Sequence, residues 1–421
     1  MKFFLKTTGC RANQWDSYII SNTLIEHGYL PSEIVDADVC IINACTLTEN
    51  AERDIKRFIN QCRAKNPYTR IVIAGCHAEV YPEKNYSAHL IIDNREKFNL
   101  PDYIHSDGIV RGENHNPFIE RASIKGIQTG KTRFFMKIQD GCDRFCTYCV
   151  VPFARGMPRS RPSDEVLQAV RSLKEKGIRE VVLTGIELSA YRDTGHGIDL
   201  KGLLKLLEES ETPERIRLSS IDPLYIDDEF IETLRDSKKI ARSIHISAQS
   251  FSDRILRLMA RHYTRGYLTD TIERLIKGID GIGIGIDIIV GFPSEDEDDF
   301  METLRTIDSL DIHYLHIFSF SPRERTEAAC MPYQIPLAIK KERVNRLKIL
   351  DRKKRLSFYE RLIGERVVII PEGKIYTGYL IRGYTDNYIP VYLPYKKTLE
   401  NRLVEVKIKG LKNGILVAEE I

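Results

Sequence analysis

Three cysteines lie close together in the chain, where Cys142, Cys146 and Cys149 are separated by three and then two residues. Thiolates are the usual protein ligands of a 4Fe–4S cluster, which needs four attachments. Three cysteines would hold such a cluster and leave one iron free to bind a reactant. The alternative is a structural zinc site, but zinc needs a fourth cysteine or histidine, which the nearby residues do not supply. The spacing therefore favours an iron–sulfur cluster.

Three other cysteines, which form the first cysteine set in chain order, are spread over the amino-terminal part of the chain. Cys10, Cys45 and Cys76 each follow the end of a predicted strand. Because the carboxyl ends of parallel strands gather along one edge of an open sheet, we expect these thiols to converge there. They would form a second site with three cysteine ligands. The alternative is that they are packing residues, as scattered cysteines more often are.

The other three cysteines are not assigned to a site. Cys40 lies in an apolar strand and Cys62 in a helix, so both are predicted to pack in or near the core. Cys330 has no evident partner. Nine cysteines, an odd number, in a reducing compartment fit metal binding or catalysis better than disulfides.

The composition is that of a globular protein with no membrane segment. Charged residues make up 29% and hydrophobic residues 42% of the chain. The length of 421 residues suggests two or three domains. Lys6 interrupts the short apolar run at the start, so we expect no signal peptide and a cytoplasmic location. The net charge of +3 is too small to indicate a nucleic-acid partner, so any such contact must be local.

The first hundred residues alternate apolar, β-rich runs with amphipathic helical runs, which predicts an open parallel sheet wrapped by helices. The predicted strands are residues 2–7, 37–43, 70–74 and 89–92, and the predicted helices are residues 14–27 and 47–64. Residues 94–131 are rich in Asn, Gly and Asp and are predicted to be a linker.

Six further strand–helix units follow, which predicts a partial (β/α)6 barrel. Their predicted strands are residues 133–138, 180–183, 216–218, 244–247, 285–290 and 315–318. Residues 365–421 change to short Val-, Ile- and Tyr-rich strands with turns at 371–373, 386–387 and 412–414, which predicts a small all-β barrel. The fold class is therefore α/β, with predicted domains at 1–115, 128–362 and 363–421.

Positive charge is concentrated in a predicted long helix over residues 340–361. Only three acidic residues oppose the ten cations, which are Lys340, Lys341, Arg343, Arg346, Lys348, Arg352, Lys353, Lys354, Arg355 and Arg361. By charge alone this is a solvated helix face. The alternative is a contact with RNA.

With both cysteine sets in view, the chain resembles the radical S-adenosylmethionine (SAM) methylthiotransferases along essentially its full length. Thr8-Gly9-Cys10, Asn43-Ala44-Cys45-Thr46 and Ala74-Gly75-Cys76 are similar to the family's auxiliary-cluster domain. Residues 137–142 and 152–156 are similar to its SAM core. The carboxy-terminal β domain resembles the TRAM domain, an OB-like RNA-binding barrel.

The resemblance implies two 4Fe–4S clusters and SAM as cofactors. The cluster on Cys142, Cys146 and Cys149 would bind SAM and generate a radical, and the cluster on the first cysteine set would deliver sulfur. The resemblance further implies that the SAM-facing residues are Glu187, Ser247, Gln249 and Asp287. For each of these polar residues the alternative is an ordinary turn or cap.

The substrate implied by the closest branch of the family is threonylcarbamoyladenosine next to the anticodon of tRNA, methylthiolated at C2 of its adenine. The grounds are residues 159–162, 183–188 and 331–336. The alternative substrates are isopentenyladenosine in tRNA and an aspartate of a ribosomal protein. The alternative to an enzyme is a non-catalytic RNA-binding protein stabilised by zinc. The partners implied are the tRNA anticodon stem-loop and an electron donor such as a flavodoxin or ferredoxin.

Basic and aromatic residues alternate in the carboxy-terminal β domain, which suits backbone neutralisation and base stacking in RNA. The tyrosines could equally be barrel core or cross-strand pairs. The residues concerned are Lys374, Tyr376, Tyr379, Arg382, Tyr384, Lys396 and Lys397.

Overall fold

The computed structural model describes residues 1–84, 86–113, 132–376 and 378–421. The amino-terminal part forms a six-stranded parallel sheet in the order β2-β1-β3-β4-β5-β6. Its strands are β1 (Lys2–Thr7), β2 (Leu30–Pro31), β3 (Val39–Asn43), β4 (Arg70–Ala74), β5 (Leu90–Ile92) and β6 (Gly108–Val110). Its helices are α1 (Arg11–Glu26), α2 (Glu49–Lys65), α3 (Cys76–Val80) and α4 (Leu100–Tyr103). Every residue of β3 is buried, as expected for a parallel strand covered on both faces.

The predicted linker is wrong in its first part, because residues 97–110 complete this sheet. A 3-10 helix (Lys97–Asn99) and α4 lead into β6, which pairs with β5. The Asp93 carboxylate accepts from the backbone N–H of Arg95 and of Glu96, each at 2.9 Å, so a polar segment still follows a fixed path. Residues 114–131 of the predicted linker lie outside the described residues.

Six parallel strand positions form an open arc in the central part of the chain, with β13 and β14 counted as one interrupted strand, and this confirms the predicted partial barrel. One sheet has the order β13-β10-β7 and the other β14-β15-β16-β17, and Ser219 alone separates β13 from β14. The arc strands are β7 (Arg133–Lys137), β10 (Glu180–Thr184), β13 (Arg215–Leu218), β14 (Ser220–Ile221), β15 (Ser243–Gln249), β16 (Gly283–Val290) and β17 (Tyr314–Ser319). Short strands between them are β8 (Gln139–Asp140), β9 (Arg159–Ser160), β11 (Arg192–Asp193) and β12 (Ile198–Asp199).

Helices cover the outer face of this arc, and the main core lies between helices and strands. They are α5 (Val151–Arg155), α6 (Ser163–Glu175), α7 (Leu200–Glu209), α8 (Asp228–Asp236), α9 (Asp253–Leu258), α10 (Arg265–Gly278), α11 (Glu297–Ser309), α12 (Glu327–Cys330) and α13 (Leu337–Glu360). Within the described ranges, none of the helices has the length and apolar character needed to cross a bilayer.

The amino-terminal sheet is attached to the edge strand β7 of the arc through α1. Trp15 packs edge-on against Phe134, with ring centroids 5.8 Å apart, and Tyr18 does the same at 5.2 Å. Trp15 is 1% exposed and belongs to the same core as the barrel strands. The helix that follows Cys10 is thus packed on the barrel.

Five strands close into a small barrel at the carboxy terminus, as predicted, in the order β18-β19-β20-β22-β21. They are β18 (Arg366–Tyr376), β19 (Leu380–Tyr384), β20 (Pro390–Pro394), β21 (Val404–Lys412) and β22 (Ile415–Glu420). The predicted turn at residues 371–373 is wrong, because β18 runs through it with a shift of register between Pro371 and Ile375. A strand tolerates proline at such a bulge, where no ladder hydrogen bond is lost.

The basic helix α13 is mainly a structural element that binds to the barrel. Arg343 is 3% exposed and pairs with Glu295 at 2.6 Å. Arg346 pairs with Glu297 at 2.8 Å. Further contacts with the barrel are made by Lys340, Lys353, Lys354 and Arg361. The simple interpretation as a solvated face therefore fails for five of these ten cations, which are buried or half-buried, namely Lys340, Arg343, Arg346, Lys354 and Arg355.

The buried carboxylate of Asp16 joins the amino-terminal sheet to the barrel. It accepts hydrogen bonds from Lys97 and Lys137 at 2.6 Å each and from Arg155 at 2.8 Å. All four side chains are at most 2% exposed. Burial alone would raise the pKa of Asp16, but Lys137, Lys97 and Arg155 lower it below its usual range. The carboxylate is therefore charged and fully paired.

We expect Asp16→Ala to lower the thermal unfolding temperature of the protein, because it leaves three buried cations without their shared anion. Removing one partner of a buried ion pair costs about 3–5 kcal/mol. Asp236→Ala is the control, since Asp236 pairs with Arg235 at 2.8 Å on the exposed surface. The unfolding temperature of this variant should equal that of the unsubstituted protein. Equal unfolding temperatures for both variants would contradict the structural role of Asp16.

Candidate iron–sulfur and cofactor site

The second cysteine set, formed by Cys142, Cys146 and Cys149, lies on a loop between β8 and α5. Gly141 has a φ of +77°, and a Cβ there would lie 2.0 Å from the carbonyl oxygen of Met157, so glycine is required. The backbone N–H of Cys142 donates to the carbonyl of Gly156 at 3.0 Å, and that of Cys149 donates to the carbonyl of Cys146 at 2.9 Å. These backbone hydrogen bonds hold the loop that carries the three cysteines.

The first cysteine set converges at the carboxyl edge of the amino-terminal sheet, as predicted from the strand ends. Cys10 precedes α1, Cys45 follows β3, and Cys76 is the first residue of α3 after β4. Gly9 has a φ of +91°, and a Cβ there would lie 2.7 Å from the sulfur of Cys45. Glycine at this position therefore allows the Cys10 and Cys45 segments to approach each other.

Both sets open into one cavity of about 660 Å³, which we call the cluster cavity. Five of the six predicted cysteines line it, and Cys76 lies just behind, at 8% exposure. The four residues predicted to face SAM line it as well, namely Glu187, Ser247, Gln249 and Asp287. The structure thus brings together residues from three separate parts of the sequence.

The spacing of the sulfurs does not suit zinc. Tetrahedral zinc with Zn–S bonds of about 2.3 Å would hold its sulfurs about 3.8 Å apart. In the described parts of the chain, one group of three Cys, His, Asp or Glu ligand atoms lies within 4.8 Å of one another, and it is His245, Asp287 and His316. Neither cysteine set is that tight. Both cysteine sets are therefore wider than a tetrahedral zinc site.

One arginine accompanies each cysteine set, a feature that sequence analysis missed. Arg155 donates from Nε to the sulfur of Cys76 at 3.3 Å, and Arg261 donates from Nη1 to the sulfur of Cys146 at 3.4 Å. A cation next to a thiol favours the thiolate, the form that binds metal. Arg155 lies within the motif at residues 152–156 described above. Arg261 is distant from Cys146 in the sequence, and no local motif marks it.

Burial opposes thiolate formation in the metal-free site. It raises the pKa of Cys45 to about 12, of Cys142 to about 11 and of Cys149 to about 12. The charges of Cys10 and Cys76 add to the effect at Cys45, which places these three thiols close together. Iron must therefore displace protons when it binds.

The pKa values of Glu187 and Asp287 in the cavity shift in opposite directions. Burial, and then the neighbouring Asp222, raise the pKa of Glu187. Burial alone would also raise the pKa of Asp287, but His245 and His316 lower it below its usual range. His245 donates to Asp287 at 2.8 Å. His245 and His316 thus favour the charged form of Asp287, whereas burial disfavours the charged form of Glu187.

Two family profiles match the chain, each over one cysteine set. Residues 136–307 match the Radical SAM superfamily, and residues 2–94 match the uncharacterized protein family UPF0004. The first segment contains Cys142, Cys146 and Cys149, and the second contains Cys10, Cys45 and Cys76.

Known proteins match almost the full length. The threonylcarbamoyladenosine tRNA methylthiotransferase of Aquifex aeolicus is 38% identical over 407 residues, covering 93% of this chain and 96% of the relative. A tRNA-2-methylthio-N(6)-dimethylallyladenosine synthase of Moorella thermoacetica is 34% identical over 440 residues, covering 100% and 98%. In fold, the chain is similar to the radical SAM methyltransferase TsrM of Kitasatospora setae, with a TM-score of 0.59 and 15% identity, covering 78% of this chain and 77% of TsrM.

We expect three cysteines of the metal-free protein, the buried Cys45 and the half-buried Cys142 and Cys149, to react slowly with iodoacetamide at about pH 8, because the raised pKa values keep them as thiols. Cys45, Cys142 and Cys149 should be modified more slowly than Cys330, which is exposed and serves as the internal control. Mass spectrometry of peptides at successive times measures each rate. Modification of all four cysteines at one rate would contradict the burial and the pKa shifts.

Proposed function

The chain belongs to the radical SAM methylthiotransferases, and on that premise we propose that it methylthiolates C2 of the adenine in threonylcarbamoyladenosine, next to the anticodon of tRNA. The observation that carries the proposal is the convergence of two three-cysteine sets at one cavity. One radical-generating site and one sulfur-delivering site must face the same carbon. A single cavity between them meets that requirement.

SAM and 4Fe–4S clusters are the cofactors of this family. We propose two clusters here, one held by Cys142, Cys146 and Cys149 and the other by the first cysteine set. When bound, SAM and a reduced cluster supply the radical chemistry that removes a hydrogen atom from a C–H bond without an acidic proton. The proposed SAM contacts are Glu187, Ser247, Gln249 and Asp287. No side chain is proposed as a catalytic acid or base.

The protein's own part in this chemistry is to hold charge and to exclude water. Arg155 and Arg261 each support one cysteine set, and both are almost fully buried. Cys45, Cys76 and Cys146 are buried, which limits the access of water to the irons they would hold, and a dry site protects a reactive radical from side reactions. An external donor such as a flavodoxin or ferredoxin is proposed to supply the electron.

The proposed tRNA partner needs exposed basic and aromatic side chains outside the cavity. In the carboxy-terminal barrel Lys374, Tyr379 and Lys397 are exposed, whereas Tyr384 stacks on Tyr388 with ring centroids 4.9 Å apart. In α13, among the residues described, the basic side chains with no protein partner are the exposed Lys341, Lys348 and Arg352. We propose that these two groups of exposed residues contact the anticodon stem-loop through its phosphates and unstacked bases.

Nucleoside mass spectrometry of tRNA from a deletion strain tests the substrate. We expect the methylthio form of threonylcarbamoyladenosine to disappear while the methylthio form of isopentenyladenosine persists. Restoring the gene should restore the lost nucleoside. Loss of the isopentenyl form alone would instead select the alternative that the Moorella thermoacetica relative represents. Unchanged tRNA nucleosides would point to a protein substrate.

Alanine substitutions separate the roles of the two cysteine sets. In Cys10→Ala, Cys45→Ala or Cys76→Ala we expect SAM cleavage to survive and methylthiolation to stop, because only the sulfur-delivering site is lost. In Cys142→Ala, Cys146→Ala or Cys149→Ala we expect both activities to stop. Cys330→Ala, at an exposed position, is the control and should keep both. A first-set variant that still methylthiolates would refute sulfur delivery from that site.

A further inference from the structure

A second cavity of about 330 Å³ continues from the cluster cavity into the interior of the barrel. We call it the barrel cavity. Cys10, Ile186, Asp287 and Phe318 line both, so the two spaces are contiguous. At its far end the barrel cavity reaches Tyr388 of the carboxy-terminal domain. A group attached to a base in the cluster cavity could therefore extend into the barrel cavity.

Arg11 lines the barrel cavity directly beside Cys10. Its guanidinium lies over the ring of Phe135, 5.3 Å from the centroid. Over the described part of the chain, it has no hydrogen-bond acceptor and no ion-pair partner. A guanidinium has five N–H donors in a planar fork, and a contact with a ring face satisfies none of them. Its donors are therefore free for a ligand.

The other charged groups of the barrel cavity already have partners. Arg217 donates to Ser243 at 2.6 Å and pairs with the buried Glu180 at 3.1 Å. Asp287, the carboxylate among the lining residues, accepts from His245 at 2.8 Å. His245 also contacts the hydroxyl of Tyr314 at 3.0 Å. Among the cationic side chains that line the barrel cavity, Arg11 is thus the one with unused donors. The barrel cavity therefore suits an anion beside Arg11.

We propose that Arg11 binds the carboxylate of the substituent on N6 of the substrate adenosine, and that the barrel cavity accommodates this substituent. The inference rests on the proposed function and adds the residue that selects the substrate. A carboxylate can accept two parallel hydrogen bonds from the guanidinium fork. An apolar isopentenyl group would cover the same guanidinium and leave its donors unpaired. Arg11 would thus favour one substituent and reject the other.

Reconstituted holoenzyme with three stem-loop RNAs tests the inference. The RNAs carry threonylcarbamoyladenosine, the methyl ester of its carboxylate, or isopentenyladenosine. We expect the unsubstituted enzyme to prefer the free carboxylate over the ester by about 10-fold to 100-fold in kcat/KM, the size expected for a hydrogen-bonded charge. This comparison needs no variant, so it does not depend on how a substitution affects folding.

Arg11→Gln should lower kcat/KM for the free carboxylate by a similar factor and leave the ester at the rate of the unsubstituted enzyme. Arg171→Gln is the matched control, because Arg171 is exposed on α6, and it should not change any of the three rates. Iron content is measured in each preparation. If Arg11→Gln loses iron, Arg11→Lys keeps the charge without the fork and should retain part of the preference.

The outcomes separate the two claims. If the unsubstituted enzyme modifies threonylcarbamoyladenosine and its ester at equal rates, the role of Arg11 is refuted and the proposed function stands. If Arg11→Gln lowers both rates equally, Arg11 acts on the cluster site and not on the carboxylate. If the unsubstituted enzyme modifies only isopentenyladenosine, both the proposed function and the inference fail.

Discussion

The buried carboxylate of Asp16 holds the two halves of the site in one arrangement. It belongs to α1, which begins directly after Cys10, and it accepts from Lys137 of β7 and from Arg155 of α5. Arg155 in turn contacts the sulfur of Cys76. A single ion network thus links both cysteine-bearing regions. The hydrophobic contact of Trp15 with Phe134 stabilises the same interface. It cannot fix the relative orientation of the two regions, because apolar packing is not directional.

The position of the carboxy-terminal barrel follows from a second buried network, at the amino ends of the barrel strands. Glu180 pairs with Arg217 at 3.1 Å and with Arg215 at 3.5 Å. The same arginines donate to carbonyl groups of Asp386 and Tyr384 in the small barrel, at 2.8 and 2.7 Å. The small barrel is therefore fixed at the end of the strands opposite the cysteine sets. The exposed residues of the small barrel must therefore contact the proposed RNA at the amino ends of the strands.

Much of the fold could be predicted from the sequence, because buried parallel strands are short apolar runs with clear ends. The strand predicted at residues 70–74 is β4 as observed, and the cysteines could be placed because ligands gather at the carboxyl ends of such strands. The strand β18 shows where this fails. Pro371 and Gly373 have the composition of a turn, but pairing with two neighbouring strands overrides that local preference.

Charged residues could be predicted least well, since their partners are distant in sequence. The cations of α13 resemble an RNA-binding face until the acidic residues of the barrel are seen opposite them, as for Arg343 and Glu295. Arg261 reaches Cys146 from a loop more than a hundred residues away. Arg11 has no hydrogen-bond acceptor among the described residues. The sequence alone cannot show whether an arginine has such a partner.

The contact between Arg155 and Cys76 also bears on how the protein matures. The amino-terminal sheet contains all three of its cysteines by residue 76, but the arginine that supports them is supplied by α5, beyond the first strands of the barrel. As the chain leaves the ribosome, the first thiol set exists before its supporting cation. Assembly of the proposed iron–sulfur cluster at that set would thereby be coupled to folding of the next domain, and a chain arrested between the two would have thiols without the charge that steadies them.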